Sequence, residues 1–119
     1  MLMAGKLLVV ITSGWDSFER ARQGLRIARN LVKGRMVDEV GILFVGPGVT
    51  LLDTSVENYG VVERFLKELK EYGVLPRVCH GNLKVYGLEN RFDKQLVVAD
   101  DAATVVAEHI SRGFTIATF

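Results

Sequence analysis

Apolar positions along this chain fall into two alternating patterns. Leu7-Leu8-Val9-Val10-Ile11 is an unbroken apolar run, as is Leu96-Val97-Val98-Ala99, and Val40 to Val45 is interrupted only by Gly41. Runs of this kind read as strands covered on both faces, as in a parallel sheet between helix layers. Between them the spacing becomes helical. Phe18, Ala21, Leu25, Ala28 and Leu31/Val32 form one stripe, with Arg20, Arg22, Arg26, Arg29 and Lys33 mostly off it. Val61, Val62, Phe65, Leu66, Leu69 and Tyr72 form a second, with Glu63–Lys67 and Lys67–Glu71 as i,i+4 pairs opposite. Ala102, Ala103, Val106 and Ile110 form a third.

Punctuation residues bound these elements. Asp16 with Glu19 predicts a capping box at the first helix, and Gly34 a C′ stop. Gly46-Pro47-Gly48 predicts a plain turn. Thr54 with Glu57, or Asn58 alone, caps the second helix, which Gly73 ends. A short strand, Val74 to Val78, holds Pro76; lacking an N–H, that residue places it near an edge or makes it very short. Leu83, Val85/Tyr86 and Leu88 then predict one or two helical turns closing near Gly87, followed by a loop over Glu89 to Lys94. Asp100 or Asp101 caps the last helix, Gly113 ends it, and Phe114 to Ala117 is a final strand. The order β-α-β-α-β-(α)-β-α-β predicts one α/β domain over residues 1–119, with a five-stranded, mostly parallel sheet between two helix layers.

Composition narrows the function classes. The chain has 119 residues, 49% hydrophobic and 24% charged, which suits one globular domain. Fifteen Lys and Arg against fourteen Asp and Glu give a net charge of +1, so no nucleic-acid partner is expected. A single cysteine excludes an internal disulfide. Met1 to Lys6 does not read as a signal peptide. No segment approaches the ~20 apolar residues of a membrane span, so a soluble cytoplasmic protein with no membrane contact is expected.

Ligands of open parallel sheets bind outside the carboxyl ends of the strands. Three segments end there: Thr12–Asp16, Gly46–Thr50 and Cys79–Asn82. The third is the most chemical, because the only cysteine stands where a strand gives way to a turn or helix start. Backbone N–H groups there favour a thiolate, which is the nucleophile. His80 adds positive charge when protonated or exchanges a proton, and the amides of Gly81 and Asn82 are candidate donors to the sulfur. Arg77 and Lys84 flank it. The competing reading is a small buried core residue, the commoner fate of a lone cysteine. Ser13, with Thr12 and Gly14 before a helix start, suits an anion, although Asp16 opposes one. Gly48 supports the second loop. Trp15 serves packing or an interface, and Trp15, Phe92, Phe114 and Phe119 are aromatic residues available to an interface. His80 and His109 with one cysteine are too few for a zinc set, so no metal and no cofactor is expected. His109, near a helix C-terminus, reads as structural. Neither a phosphate loop nor a G-x-S-x-G elbow is present.

Along nearly its whole length the chain resembles the DsrE/DsrF-like family of small sulfur-relay proteins. The resemblance rests on Lys6–Val32 with Ala21, Leu25 and Ala28, and on Leu43-Phe44-Val45-Gly46-Pro47-Gly48-Val49 with Leu51 and Leu52. It continues through Cys79, Leu83 and Gly87 to the closing helix Ala102–Gly113 and strand Phe114–Phe119. The chain departs from the pattern at Tyr86, where many members have a basic residue, and in the Gly46–Gly48 loop, which lacks an acidic one. The resemblance implies a three-layer α/β/α domain, a persulfide formed on Cys79 and passed on, sulfur donor and acceptor proteins as partners, and a trimeric or hexameric homo-oligomer. Two alternatives stand beside it: a non-catalytic assembly subunit of the same fold, and a small anionic-ligand domain using Thr12–Asp16.

Overall fold

Five strands and four α-helices alternate along the chain in the computed structural model, which describes residues 5–119. They are β1 (Lys6–Ile11), α1 (Phe18–Lys33), β2 (Glu39–Phe44), α2 (Tyr59–Glu71), β3 (Arg77–Cys79), α3 (His80–Val85), β4 (Val98–Asp100), α4 (Ala102–Ser111) and β5 (Thr115–Thr118). One sheet holds all five strands in the order β4-β3-β2-β1-β5, and every pairing is parallel. The chain walks outward from β1 to β4, then returns to lay β5 on the other side of β1. Parallel crossovers are right-handed, so the outward walk and the return place their helices on opposite faces. Val9, Ile11, Ile42, Phe44 and Val78 accordingly pack with Leu25, Leu66 and Leu83 of α1, α2 and α3. Leu8, Val10 and Leu43 pack on the other face with Val105 of α4 and with Phe114. The expected α/β class and three-layer arrangement are present, with a sheet that is wholly parallel.

Several boundaries differ from the sequence reading. A 3-10 turn, Trp15–Ser17, precedes α1, and Asp16 makes no cap bond. Glu19 turns outward to Arg22 at 2.8 Å and to Gln23, so the capping box does not form. Gly34 keeps an ordinary φ of −84°, and Arg35 instead takes the left-handed position at φ 50°. Gly46-Pro47-Gly48 is no plain turn: it opens a 3-10 run, Gly46–Leu52, that buries Val49, Leu51 and Leu52. Asn58 stands at the α2 N-cap without a side-chain bond. The β3 strand comprises only Arg77–Cys79, with Pro76 just outside and its carbonyl accepting from Val98 N–H. Leu96 and Val97 are buried but precede β4, because they plug the core from a turn. On α4 the buried position is Val105, while Ala103 and Ile110 face solvent; a helix on a flat sheet face buries a narrow stripe through Ala102, Val105 and Val106. Trp15, Phe92 and Phe119 are half-buried against the larger core, and Phe114 is buried in the smaller one. No helix among the described residues is long and apolar enough to cross a membrane.

Candidate functional site

The three loops singled out from the sequence lie along one rim, stitched together in strand order. Val45 N–H donates to Ile11 O at 3.0 Å, and the Trp15 indole N–H donates to Thr50 O at 3.1 Å. These bonds join the first loop to the second. Gly46 N–H donates to the Asn82 Oδ1 at 2.8 Å and joins the second to the third. Glycine is required in two places by close approach. A Cβ at Gly14 would stand 2.6 Å from the carbonyl oxygen of Pro47, and one at Gly48 would collide with the Ile11 carbonyl. Gly48 therefore has a packing reason for its identity.

Cys79 has two structural roles at once. It is the last residue of β3 and the N-cap of α3, and its Sγ accepts from Asn82 N–H at 3.4 Å. The thiol is half-buried. Residues of a strand alternate between faces, and Leu43 of the α4-side core pairs in register with Arg77. Arg77 and Cys79 therefore fall on the α4 side. There Arg77 Nη1 bonds Asp100 Oδ2 at 2.5 Å, and Asp100 is the register partner of Cys79 on β4. The guanidinium expected to flank the thiol is thus committed to a carboxylate on the next strand. Gly81 is exposed beside the thiol, and a Cβ there would make ordinary contact with Sγ, at 3.9 Å. His80 begins α3 and is exposed, as is Lys84.

Asp101 caps α4 by accepting from Thr104 N–H at 3.0 Å and from its hydroxyl at 2.7 Å. These two bonds hold its carboxyl below the usual range, and the facing His80 adds a smaller lowering. Cys79, His80, Asn82 and the pair Asp100–Asp101 thus form one neighbourhood at the ends of β3 and β4. This is where successive crossovers leave the sheet on opposite faces, the usual position of a crevice in open α/β sheets.

Ser13 belongs to a different part of the rim. It is buried and lines a cleft of about 540 Å³ with Trp15, Arg20, Pro47, Thr50 and Tyr86, and Cys79 is not among the lining residues. The backbone N–H groups of Thr12 and Ser13 both donate to Phe119 O, at 2.7 and 3.3 Å. They are not free for an anion. His109 packs structurally: its Nδ1 lies 2.6 Å from Val105 O, its ring meets Phe114 edge-on at 4.6 Å, and its Nε2 fills the space left by Gly41.

Sequence reasoning missed Asp100 and the side chain of Asn82. Asp100 was legible only as a cap, because the register that sets it beside Cys79 depends on where β4 begins. The signal available was the pair Asp100-Asp101 at a strand end facing Arg77.

No family model matches this chain, and no curated protein does. Solved structures of similar fold do exist. The ychN protein of E. coli is 18% identical, with a TM-score of 0.77 over 98% of this chain and 100% of that one. A protein of unknown function from Bacteroides thetaiotaomicron, BT1422, is 14% identical, with a TM-score of 0.75 over 95% and 94%. A third, MTH1491 from Methanobacterium thermoautotrophicum, also of unknown function, is 17% identical, with a TM-score of 0.74 over 97% and 99%. At these identities the likeness concerns the fold, end to end.

Proposed function

We propose that this protein carries sulfane sulfur as a persulfide on Cys79 and passes it to a partner thiol. The observation that carries the reading is the Asn82 N–H held 3.4 Å from a half-buried Sγ at the carboxyl end of a parallel strand. The chain-length resemblance to the DsrE/DsrF-like family supports the choice of sulfur transfer over other thiol chemistry. In the loading step the Cys79 thiolate attacks the outer sulfur of a donor persulfide, R–S–SH. A bond forms from Sγ to that sulfur, the donor S–S bond breaks, and the donor leaves as R–S⁻. Delivery repeats the exchange: an acceptor thiolate attacks the outer sulfur, and Cys79 departs as thiolate. The cysteine sulfurs exchange oxidation states and no external oxidant is consumed.

Sγ is the attacking anion at loading and the leaving anion at delivery, so the Asn82 amide serves both steps. His80 exchanges the proton. With one cysteine in the chain, the persulfide is not discharged as an internal disulfide, so its acceptor lies on another molecule. Donor and acceptor proteins in the cytoplasm, and a trimeric or hexameric homo-oligomer, complete this reading by resemblance.

A second reading, a non-catalytic assembly subunit, is favoured by Val98, Ile110 and Ile116, which stay exposed on the α4 side of the molecule. One experiment separates the two. Incubation with a low-molecular-weight persulfide donor, followed by intact-mass spectrometry, is expected to add one sulfur that reductant removes and that Cys79→Ser does not acquire. Alkylation no faster than global unfolding, with no added sulfur, overturns the carrier reading in favour of the second.

A further inference from the structure

The charge of this molecule is unevenly placed. Helix α1 carries Arg20, Arg22, Arg26, Arg29 and Lys33 against the single carboxylate Glu19. The rest of the chain holds ten cations and thirteen carboxylates, so α1 is net +4 on a body that is net −3. Helix α2 shows what an ordinary solvated face looks like here, with Arg64, Lys67 and Lys70 balanced by Glu63, Glu68 and Glu71.

The α1 cations are also ordered. Arg22, Arg26, Arg29 and Lys33 recur at i, i+4, i+7 and i+11, which is one stripe about 17 Å long. It borders a groove of about 210 Å³ against α2, lined by Arg22, Arg29, Val61, Arg64, Phe65 and Glu68. The groove already shows how a carboxylate and an apolar group are received there. Glu68 lies 3.8 Å from Arg29, whose guanidinium sits 5.0 Å over the Phe65 ring. Arg22 is held by Glu19 at 2.8 Å. Arg26 and Lys33 of the stripe and Arg64 of the groove have no ion pair among the described residues, and Val61 in the groove is 45% exposed.

We infer that the α1–α2 groove docks an acidic, amphipathic segment of a partner protein. Carboxylates spaced along one turn or two of such a segment meet Arg26, Lys33 and Arg64, and an apolar side chain covers Val61. Arginine suits this task because its planar fork pairs bidentately with carboxylates. A nucleic acid fits less well. It offers no apolar side chain for Val61, and the net −3 of the remaining surface opposes a long polyanion. The inference does not depend on Cys79.

The test uses the full chain and a labelled synthetic peptide of about twelve residues, with Glu and Leu at helical spacing, read by fluorescence anisotropy. The expected result is saturable binding that weakens as salt rises. Arg26→Glu with Arg64→Glu should weaken it about tenfold or more, while the far-UV spectrum and the alkylation rate of Cys79 stay unchanged. A peptide of the same composition with its charges scrambled should bind more weakly. Absence of saturable binding, equal binding by the charge-reversed protein, or tighter binding of single-stranded RNA or anionic vesicles through the same arginines would each overturn the inference.

Discussion

Asn82 holds Cys79 and is itself held: its N–H donates to Sγ at 3.4 Å while its Oδ1 accepts from Gly46 N–H at 2.8 Å. The thiol of β3 is therefore tied through one residue to the loop that follows β2. Helix α3 has only six residues and is too short to set its own position, so this tether fixes where the Asn82 amide points.

Removing the tether should loosen the site without removing the thiol. Asn82→Ala leaves Gly46 N–H without its partner, and the expected cost is about 1–2 kcal/mol in denaturant unfolding. The backbone bond to Sγ survives in principle, but α3 is free to shift. The rate of Cys79 alkylation should then change in the native protein, measured under conditions where both proteins are fully folded. An unchanged rate would show that α3 needs no anchor.

Cys79→Ser is expected to separate function from folding. Serine is a preferred N-cap residue and its oxygen accepts from Asn82 N–H as well as sulfur does or better. Thermal unfolding should therefore stay within about 2 °C of the parent, while sulfur loading disappears. A variant that unfolds would mean that the sulfur itself is needed for packing.

Gly48→Ala should be severe. The new Cβ meets the Ile11 carbonyl, a backbone atom that cannot swing aside, in the 3-10 run that buries Val49, Leu51 and Leu52. Overpacking of this kind costs about 3 kcal/mol. Urea titration monitored by Trp15 fluorescence measures it, and a loss well below that value would mean that the rim loop yields easily.

Tyr59 and Asp101 set opposite ends of the pH–stability curve. The Tyr59 hydroxyl is buried without a hydrogen-bond partner among the described residues, and burial, aided by Glu63 and Asp93, pushes its pKa up to about 12. A folded value above the unfolded one, about 10, means that its contribution is intact below pH 10 and is lost as pH rises toward 12. Tyr59→Phe should flatten that alkaline loss and, by removing an unsatisfied hydroxyl, raise stability near neutrality by about 1 kcal/mol. A fall in stability instead would reveal a partner for the hydroxyl in solution.

Asp101 works in the acid range. Its folded carboxyl is lowered by the Thr104 bonds, so its stabilisation is present above the ordinary carboxylate value and lost as pH falls through the folded one. Asp101→Ala should lower the melting temperature by a few degrees near neutral pH and progressively less in acid, because the parent loses the same cap bond there. Equal losses at every pH would place the effect in packing and not in charge.

Much of the scaffold was legible in the chain because it depends on local pattern. Unbroken apolar runs at Leu7–Ile11 and Val40–Val45 mean doubly covered strands, and the stripes through Leu25 and Leu66 mean helices lying on them. Alternation of the two requires parallel crossovers, so the class, the layering and the carboxyl rim all follow. The position of Cys79 at a strand end was likewise readable from the apolar run that stops there. What the chain alone could not decide was everything that depends on register and on neighbours distant in sequence. Leu96 and Val97 read as a strand because they are apolar, yet they plug the core and leave the strand to Val98–Asp100. That shift sets Asp100 beside Cys79 and turns Arg77 toward Asp100. Gly14, Gly41 and Gly48 read as turns or interruptions, and only packing shows that each makes room for a particular atom of another element. Local periodicity fixes which face of an element is apolar; the atoms that meet across that face are decided by the whole sheet, through the strand order that brings residues 79 and 100 into register.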